Sequence, residues 1–179
     1  PRLHMKNRNL PEETNRRIVD HIADVNLCYS EHARRYLNAE GTAKERTYVT
    51  GSPMAEVLSA NMEKIKASEV LKTLGLEEGR YILLSAHREE NIDQEKNFFA
   101  LMEAVNSMAE TYQMPIIYST HPRSRKFIEQ RGFQFHPLVR SLQPFGFSDY
   151  KHLQMKAFCV VSDSGTLPEE ASYFSSKGH

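Results

Sequence analysis

The chain has 179 residues, of which 40% are hydrophobic and 26% are charged, proportions typical of a globular domain with a buried core. Lysine plus arginine equals aspartate plus glutamate at 23 each, so the formal net charge is zero. This balance argues against a nucleic-acid or membrane-surface partner, and no apolar run approaches the ~20 residues of a transmembrane helix.

The spacing of apolar residues predicts alternating helices and strands. In chain order, the predicted elements are a helix at 11–24, a strand at 25–29, a helix at 30–37, a strand at 47–50, helices at 54–66 and 68–74, a strand at 81–86, a helix at 94–112, a strand at 115–120, a helix at 123–130, a strand at 136–140, a helix at 148–156, a strand at 158–162 and a helix from 168.

From residue 78 onward, continuous apolar strands alternate with helices, a pattern typical of a Rossmann-like parallel sheet covered on both faces. We therefore predict an α/β fold. Residues 1–66 are interpreted as the remnant of an N-terminal α/β domain plus a connection between domains. Residues 67–179 are interpreted as a truncated C-terminal nucleotide-binding domain, because both chain ends look cut.

The two cysteines, Cys28 and Cys159, both lie in apolar runs and are far apart in sequence. Their spacing is not that of a metal site, and a structural disulfide is not predicted. We expect both to be reduced thiols in the core of a cytoplasmic protein.

Ligands of open parallel sheets bind at the carboxyl ends of the strands, so the loops after the predicted strands are candidate site segments. His87 and Arg88 emerge together after the strand at 81–86, where they could bind phosphate or move a proton. A charged, solvated loop is the alternative interpretation. His121 follows the next strand, but a metal site shared with His87 would lack a third ligand, so no metal is predicted.

The segment Ser-Asp-Ser-Gly-Thr at 162–166 leads directly into a predicted helix. Backbone N–H groups and the helix dipole at such a position attract an anion, and the hydroxyl groups of Ser164 and Thr166 add donors. A carboxylate pointing at that anion would compete with it, so Glu169 or Glu170 is better suited to accept hydrogen bonds from ribose hydroxyls. Simple helix capping by serine and threonine is the alternative.

Four sequence motifs, in this order along the chain, resemble those of a known family. They are Pro-Glu-Glu-Thr-Asn-Arg-Arg at 11–17, Val-Thr-Gly-Ser-Pro at 49–53, His-Arg-Glu-Glu-Asn at 87–91 and Ser-Asp-Ser-Gly-Thr-Leu-Pro-Glu-Glu at 162–170. They resemble the non-hydrolysing UDP-N-acetylglucosamine 2-epimerases. The Asp-Ser-Gly-Thr form, with Met-Lys-Asn-Arg-Asn near the start, is similar to the capsule and O-antigen branch. That branch makes UDP-N-acetyl-L-fucosamine from a UDP-2-acetamido-2,6-dideoxy-L-talose type substrate.

The resemblance implies two Rossmann-like domains in the glycosyltransferase-B arrangement, with the active site between them. It implies an isomerase of bacterial surface polysaccharide precursor synthesis that eliminates UDP in the anti sense and adds it back with C2 inverted. The implied partner is a UDP-sugar, with no metal or other cofactor, and the full-length parent is expected to form a homodimer. The residues that match family positions are, for catalysis, Glu12 and His87, and, for substrate binding, Arg16, Arg88, Ser164, Gly165, Thr166 and Glu170.

Two alternatives stay open. A glycosyltransferase of the same two-domain architecture would also carry a nucleotide-binding half with a glutamate on the ribose. A truncated, non-catalytic remnant that binds uridine nucleotides weakly is favoured by Lys6, which stands nearest the place of a family carboxylate. We expect the chain to be inactive on its own.

Overall fold

A computed structural model of the chain describes residues 11–86 and 88–176. The interpretations of Lys6 and of His87 fall outside the described residues, and the side chain of Glu12 does so too. The chain forms two compact units, Pro1–Val57 and Leu58–His179. Within the described ranges, no helix combines the length and the apolar character needed to cross a membrane.

The described part of the first unit contains two α-helices, a short 3-10 helix at Lys44–Arg46 and a small parallel sheet. Its elements are α1 (Pro11–Ile22), β1 (Asn26–Cys28), α2 (Glu31–Ala39) and β2 (Thr47–Val49), and β1 pairs with β2. The predicted cap of α2 is confirmed, because the Oγ atom of Ser30 accepts a hydrogen bond from the N–H of Ala33 at 3.2 Å. Several apolar side chains of this unit face solvent, among them Ile22 (75% exposed) and Leu27 (63% exposed).

The second unit, with the helix that leads into it, is built around a four-stranded sheet. Its elements are α3 (Met54–Lys66), α4 (Val70–Leu74), β3 (Ile82–Ser85), α5 (Glu89–Ile92), α6 (Glu95–Tyr112), β4 (Ile116–Ser119), α7 (Pro122–Gln130), β5 (Val139–Leu142), α8 (Phe147–Lys156), β6 (Cys159–Ser162) and α9 (Leu167–Ser176). All strands are parallel, in the order β5-β4-β3-β6. The sheet thus has β3 and β4 at its centre, with β5 and β6 outside them.

Both faces of this sheet are covered, as the continuous apolar strands predict. Successive side chains of a strand point to opposite faces. Ile82 and Leu84 therefore join one core cluster with α6, and Leu83 joins a second with α4 and α8. The predicted apolar face of α6 is confirmed by Phe98 and Met102, which are fully buried.

Three predictions about local structure were wrong. The strand expected at 136–140 lies instead at Val139–Leu142, because the carbonyl of His136 accepts the N–H of Val139 at 2.8 Å and closes a turn. The loop expected after β3 contains the short helix α5. Both cysteines are free thiols, but only Cys28 is buried; Cys159 is exposed because it begins β6, an outer strand of the sheet formed by the described residues.

Candidate functional site

The carboxyl ends of β3 and β6 lie side by side. Ser85, the last residue of β3, pairs in register with Ser162, the last residue of β6. The N–H of Asp163, the residue that follows β6, is donated to the carbonyl of Ser85 at 3.3 Å. Two of the loops predicted to carry function therefore leave the sheet as neighbours, although their strands are separated in sequence by β4 and β5.

Asp163 joins these two loops through its side chain. One carboxylate oxygen, Oδ2, accepts the backbone N–H of Arg88 at 2.9 Å and the side-chain amide of Asn91 at 3.1 Å. Both donors belong to the segment that begins α5, so the carboxylate fixes the segment that follows β3. Sequence reasoning placed Asp163 in a ligand-binding loop but did not identify this contact, which depends on the strand order.

Ala86, the residue that precedes His87, is also held by a hydrogen bond. The phenol of Tyr118, on β4, donates to the carbonyl of Ala86 at 2.9 Å. The pKa of Tyr118 is raised to about 12, chiefly by burial; a hydrogen bond with Ser124 lowers it in part, and the charge of Asp163 contributes to the rise. The phenol is therefore protonated at neutral pH and acts as a donor. His87 itself lies outside the described residues, but Ala86 and Arg88 on either side of it are fixed by these contacts.

The loop 162–166 makes hydrogen bonds within itself. The N–H of Ser164 is donated to Oγ of Ser162 at 3.0 Å, and the hydroxyls of Ser164 and Thr166 are 3.0 Å apart. Gly165 is exposed, and a Cβ atom added there would meet no neighbouring atom within 4 Å. The loop therefore has room for a group that approaches the start of α9.

Glu170, in the first turn of α9, is buried rather than open to solvent. Its Oε2 atom forms an ion pair at 2.5 Å with Nζ of Lys151 on α8, and both side chains are less than 10% exposed. Lys151 also donates to Oε1 of Gln154 at 3.1 Å. Beside this pair, burial raises the pKa of Tyr150, a hydrogen bond with Ser85 lowers it, and the charge of Glu170 raises it. Sequence reasoning missed Lys151, since nothing local marks it.

The remaining candidates lie elsewhere. Arg16 belongs to the first unit, where its guanidinium pairs with Asp20 one turn along α1. His121 caps α7, because its Nδ1 atom accepts the N–H of Arg123 at 3.3 Å. In the parts of the chain that the structure describes, no group of three or more His, Cys, Asp or Glu side chains is arranged to hold a metal ion.

Comparisons with known proteins agree with this architecture. The family model described as UDP-N-acetylglucosamine 2-epimerase matches residues 2–177. The UDP-N-acetylglucosamine 2-epimerase of Methanococcus maripaludis is 29% identical over 171 residues, which cover 92% of this chain and 47% of that protein. This chain thus spans about half the length of the curated relatives it matches.

Solved structures show the same likeness. A UDP-N-acetylglucosamine 2-epimerase from Rickettsia bellii is 42% identical with a TM-score of 0.78, covering 93% of this chain and 44% of that one. The Methanocaldococcus jannaschii enzyme, in complex with UDP-GlcNAc and UDP, is 27% identical with a TM-score of 0.84, covering 94% and 48%. These neighbours confirm the predicted α/β fold of the glycosyltransferase-B type.

Proposed function

This chain belongs to the UDP-N-acetylglucosamine 2-epimerase family, and from that premise we propose that it is part of an enzyme that inverts C2 of a UDP-N-acetylhexosamine. The observation that carries the proposal is the family match over residues 2–177, together with the neighbouring loops that Asp163 joins. A relative was solved with UDP-GlcNAc and UDP bound. The alternative of a glycosyltransferase has no comparable support.

The proposed ligand contacts follow from the loop geometry. Ser164, Gly165 and Thr166 bind the diphosphate, because the exposed glycine leaves the start of α9 open to an anion. His87 and Arg88, which follow the adjacent strand β3 in the sequence, are proposed to bind the same diphosphate.

The ribose is proposed to be held by Glu170. A carboxylate is a good acceptor for hydroxyl groups, and this one lies one turn inside the helix whose start is proposed to bind the diphosphate. In the first unit, Glu12 is the proposed carboxylate for proton transfer, and Arg16 is its neighbour at i+4 on α1.

The reaction needs a base, a stabilised leaving group and an acid. A carboxylate removes the proton on C2 while the C1–O bond to UDP breaks, giving a 2-acetamidoglycal and free UDP. UDP then adds back to C1, and a proton is delivered to the opposite face of C2, so that the atoms balance and only the configuration changes. General acid–base catalysis of this kind contributes about 10²–10⁴-fold, and donors fixed on the leaving diphosphate lower the barrier further.

The domain assignment is proposed on the same basis. Residues 1–66 supply part of a preceding α/β domain with its connection, and residues 67–179 form most of the nucleotide-binding domain. Exposed apolar side chains such as Ile22 and Leu27 support a larger first domain, as does the roughly doubled length of the relatives.

We further propose that the parent enzyme belongs to the capsule and O-antigen branch, works in the cytoplasm on precursors of bacterial surface polysaccharide and forms a homodimer. The Asp-Ser-Gly-Thr string at 163–166 supports the branch. Side-by-side assays of UDP-N-acetylglucosamine and of the 2,6-dideoxy-talose type substrate test it, and a preference for the former would contradict it. Sedimentation of the full-length enzyme tests the dimer.

The central test is epimerisation by the full-length enzyme in deuterated water. The expected result is a C2 epimer that carries one solvent deuteron, whereas sugar transfer without exchange at C2 would indicate a glycosyltransferase. The variant E12Q is expected to lower kcat by about 100-fold or more. Its matched control is E110Q, which changes an exposed glutamate of α6 and should leave kcat unchanged.

The isolated chain is expected to bind UDP with a Kd weaker than about 1 mM, because it spans only about half the length of the relatives it matches. Neither turnover nor exchange is expected from it. Absence of both exchange and sugar transfer in the full-length enzyme would indicate the non-catalytic alternative.

A further inference from the structure

The ion pair between Lys151 and Glu170 stands out because it is buried. The two side chains are 8% and 7% exposed, and their charged atoms are 2.5 Å apart. On the same helix α8, Lys156 pairs with Glu78 at 2.9 Å, with side chains that are 35% and 64% exposed. Removing two charges from water costs free energy. A buried ion pair therefore often stabilises a fold less than apolar residues of similar size would. The buried pair is therefore weak evidence of a role in stability.

The ammonium group of Lys151 is held from several directions. It donates to Oε1 of Gln154 and lies 5.2 Å from the ring centre of Tyr150 and 5.8 Å from that of Phe147. Aromatic faces attract cations, so these rings favour one position of the charge. The ammonium group of Lys151 therefore has a defined position, and it holds the carboxylate of Glu170 through the ion pair.

Glu170 is fixed in turn from two sides. Its backbone N–H is donated to the carbonyl of Thr166, the last residue of the loop 162–166, at 3.1 Å. Its Oε2 atom is engaged by Lys151. The direction of the carboxylate is therefore set by α8, while the backbone of the residue is set by the loop that begins α9.

We propose that Lys151 is a positioning residue for the nucleotide: it orients Glu170 so that the carboxylate accepts ribose hydroxyls, and it cancels a negative charge beside the diphosphate. This inference rests on the proposed function, which assigns the ribose to Glu170 and the diphosphate to the loop 162–166. An unpaired carboxylate in the first turn of α9 would repel the diphosphate, and Lys151 removes that repulsion.

The test compares two ligands, UDP and the UDP analogue that lacks both ribose hydroxyls, by NMR titration of the chain at millimolar concentrations. The wild-type chain is expected to bind UDP about tenfold more tightly than the analogue, the ratio given by hydrogen bonds to a charged acceptor. In K151M, this ratio should fall close to one. Both ligands share the diphosphate and the base, so a variant with a generally damaged binding site loses affinity for both alike. A change in the ratio of the two affinities therefore reports on the ribose contact.

Two comparison variants complete the design. K156M removes the exposed lysine of the same helix and should keep the wild-type ratio, and K151R should restore most of it because the charge is retained. If K151M does not fold, E170D carries the test: both charges remain, but the carboxylate is withdrawn by one methylene group. The expected result for E170D is again a ratio near one.

Each outcome has one meaning. A K151M chain that keeps the wild-type ratio would overturn the positioning role alone, and an E170D chain that keeps it would overturn the placement of the Glu170 carboxylate on which that role depends. A wild-type chain that binds both ligands equally would overturn it together with the ribose role of Glu170, leaving diphosphate binding intact. Shifts from either ligand that leave the amides of the loop 162–166 unmoved would overturn the diphosphate assignment as well.

Discussion

Replacement of Asp163 by asparagine is expected to loosen the connection between the loops that follow β3 and β6. The carboxylate oxygen Oδ2 accepts two hydrogen bonds, from the N–H of Arg88 at 2.9 Å and from the amide of Asn91 at 3.1 Å. Asparagine offers one oxygen and no charge, so both bonds are weakened even if that oxygen takes the place of Oδ2.

The magnitude follows from the difference between charged and neutral hydrogen bonds. A hydrogen bond to a charged group contributes about 1.5–3 kcal/mol and a neutral one about 0.5–1.5 kcal/mol, so each of the two bonds loses about 1 kcal/mol. Asp163 is only half-buried, which reduces the loss. We expect the free energy of unfolding of D163N to fall by about 1–2 kcal/mol.

Urea unfolding measures this change as a shift of the midpoint with an unchanged slope. The matched control is D93N, since Asp93 forms an exposed ion pair with Arg123, and such pairs contribute between about 0 and 1 kcal/mol. An amide spectrum adds a local reading, because the N–H resonance of Arg88 should move when its acceptor loses charge. Unfolding at the wild-type midpoint with an unmoved Arg88 resonance would refute this account of Asp163.

Three further predictions concern other parts of the chain. A hydrogen bond from Arg34 lowers the pKa of Glu31 from its usual 4.5 to about 2. The stability it confers is therefore complete above pH 4.5 and lost as the pH falls toward 2; NMR titration should return a value near 2, and R34A should move it back toward 4.5. Cys159 is expected to react with a thiol reagent well before the buried Cys28, and C159S should abolish the fast phase, so an unchanged fast phase would contradict its exposure. Gly75 ends α4 with a φ of 62° and open space around a Cβ atom, so G75A should lower the free energy of unfolding by about 1 kcal/mol through backbone strain alone, as measured by urea unfolding; an unchanged midpoint would contradict this.

Local features of the fold could be predicted from the sequence because they depend on neighbours within a few residues. Helix α3 begins and ends where its apolar spacing predicts, and Ser30 caps α2 as its position before the helix indicates. The strand at 136–140 was misplaced even though the turn at His136 is also local, because its hydrogen bonds leave no trace in the spacing of apolar residues.

The candidate site could be predicted only in part. The loops after β3 and β6 were identified as candidates because strand ends in parallel sheets carry ligands, and the structure brings these two loops side by side. Ligand binding by Ser164 and Thr166 stays a prediction. The partner of Glu170 could not be identified in this way. Lys151 lies on a different helix, and its sequence neighbours do not distinguish a buried lysine from an exposed one such as Lys156.

The sequence by itself determined the family, the alternation of strands and helices, and the loops that carry polar groups, because motif strings and periodicity are written in consecutive residues. Only the tertiary structure decided that β6 lies beside β3, that Asp163 joins their loops, that Cys159 is exposed and that Lys151 faces Glu170. Strand order and buried charge pairs depend on contacts between residues distant in the chain, and those contacts exist only once the core has packed.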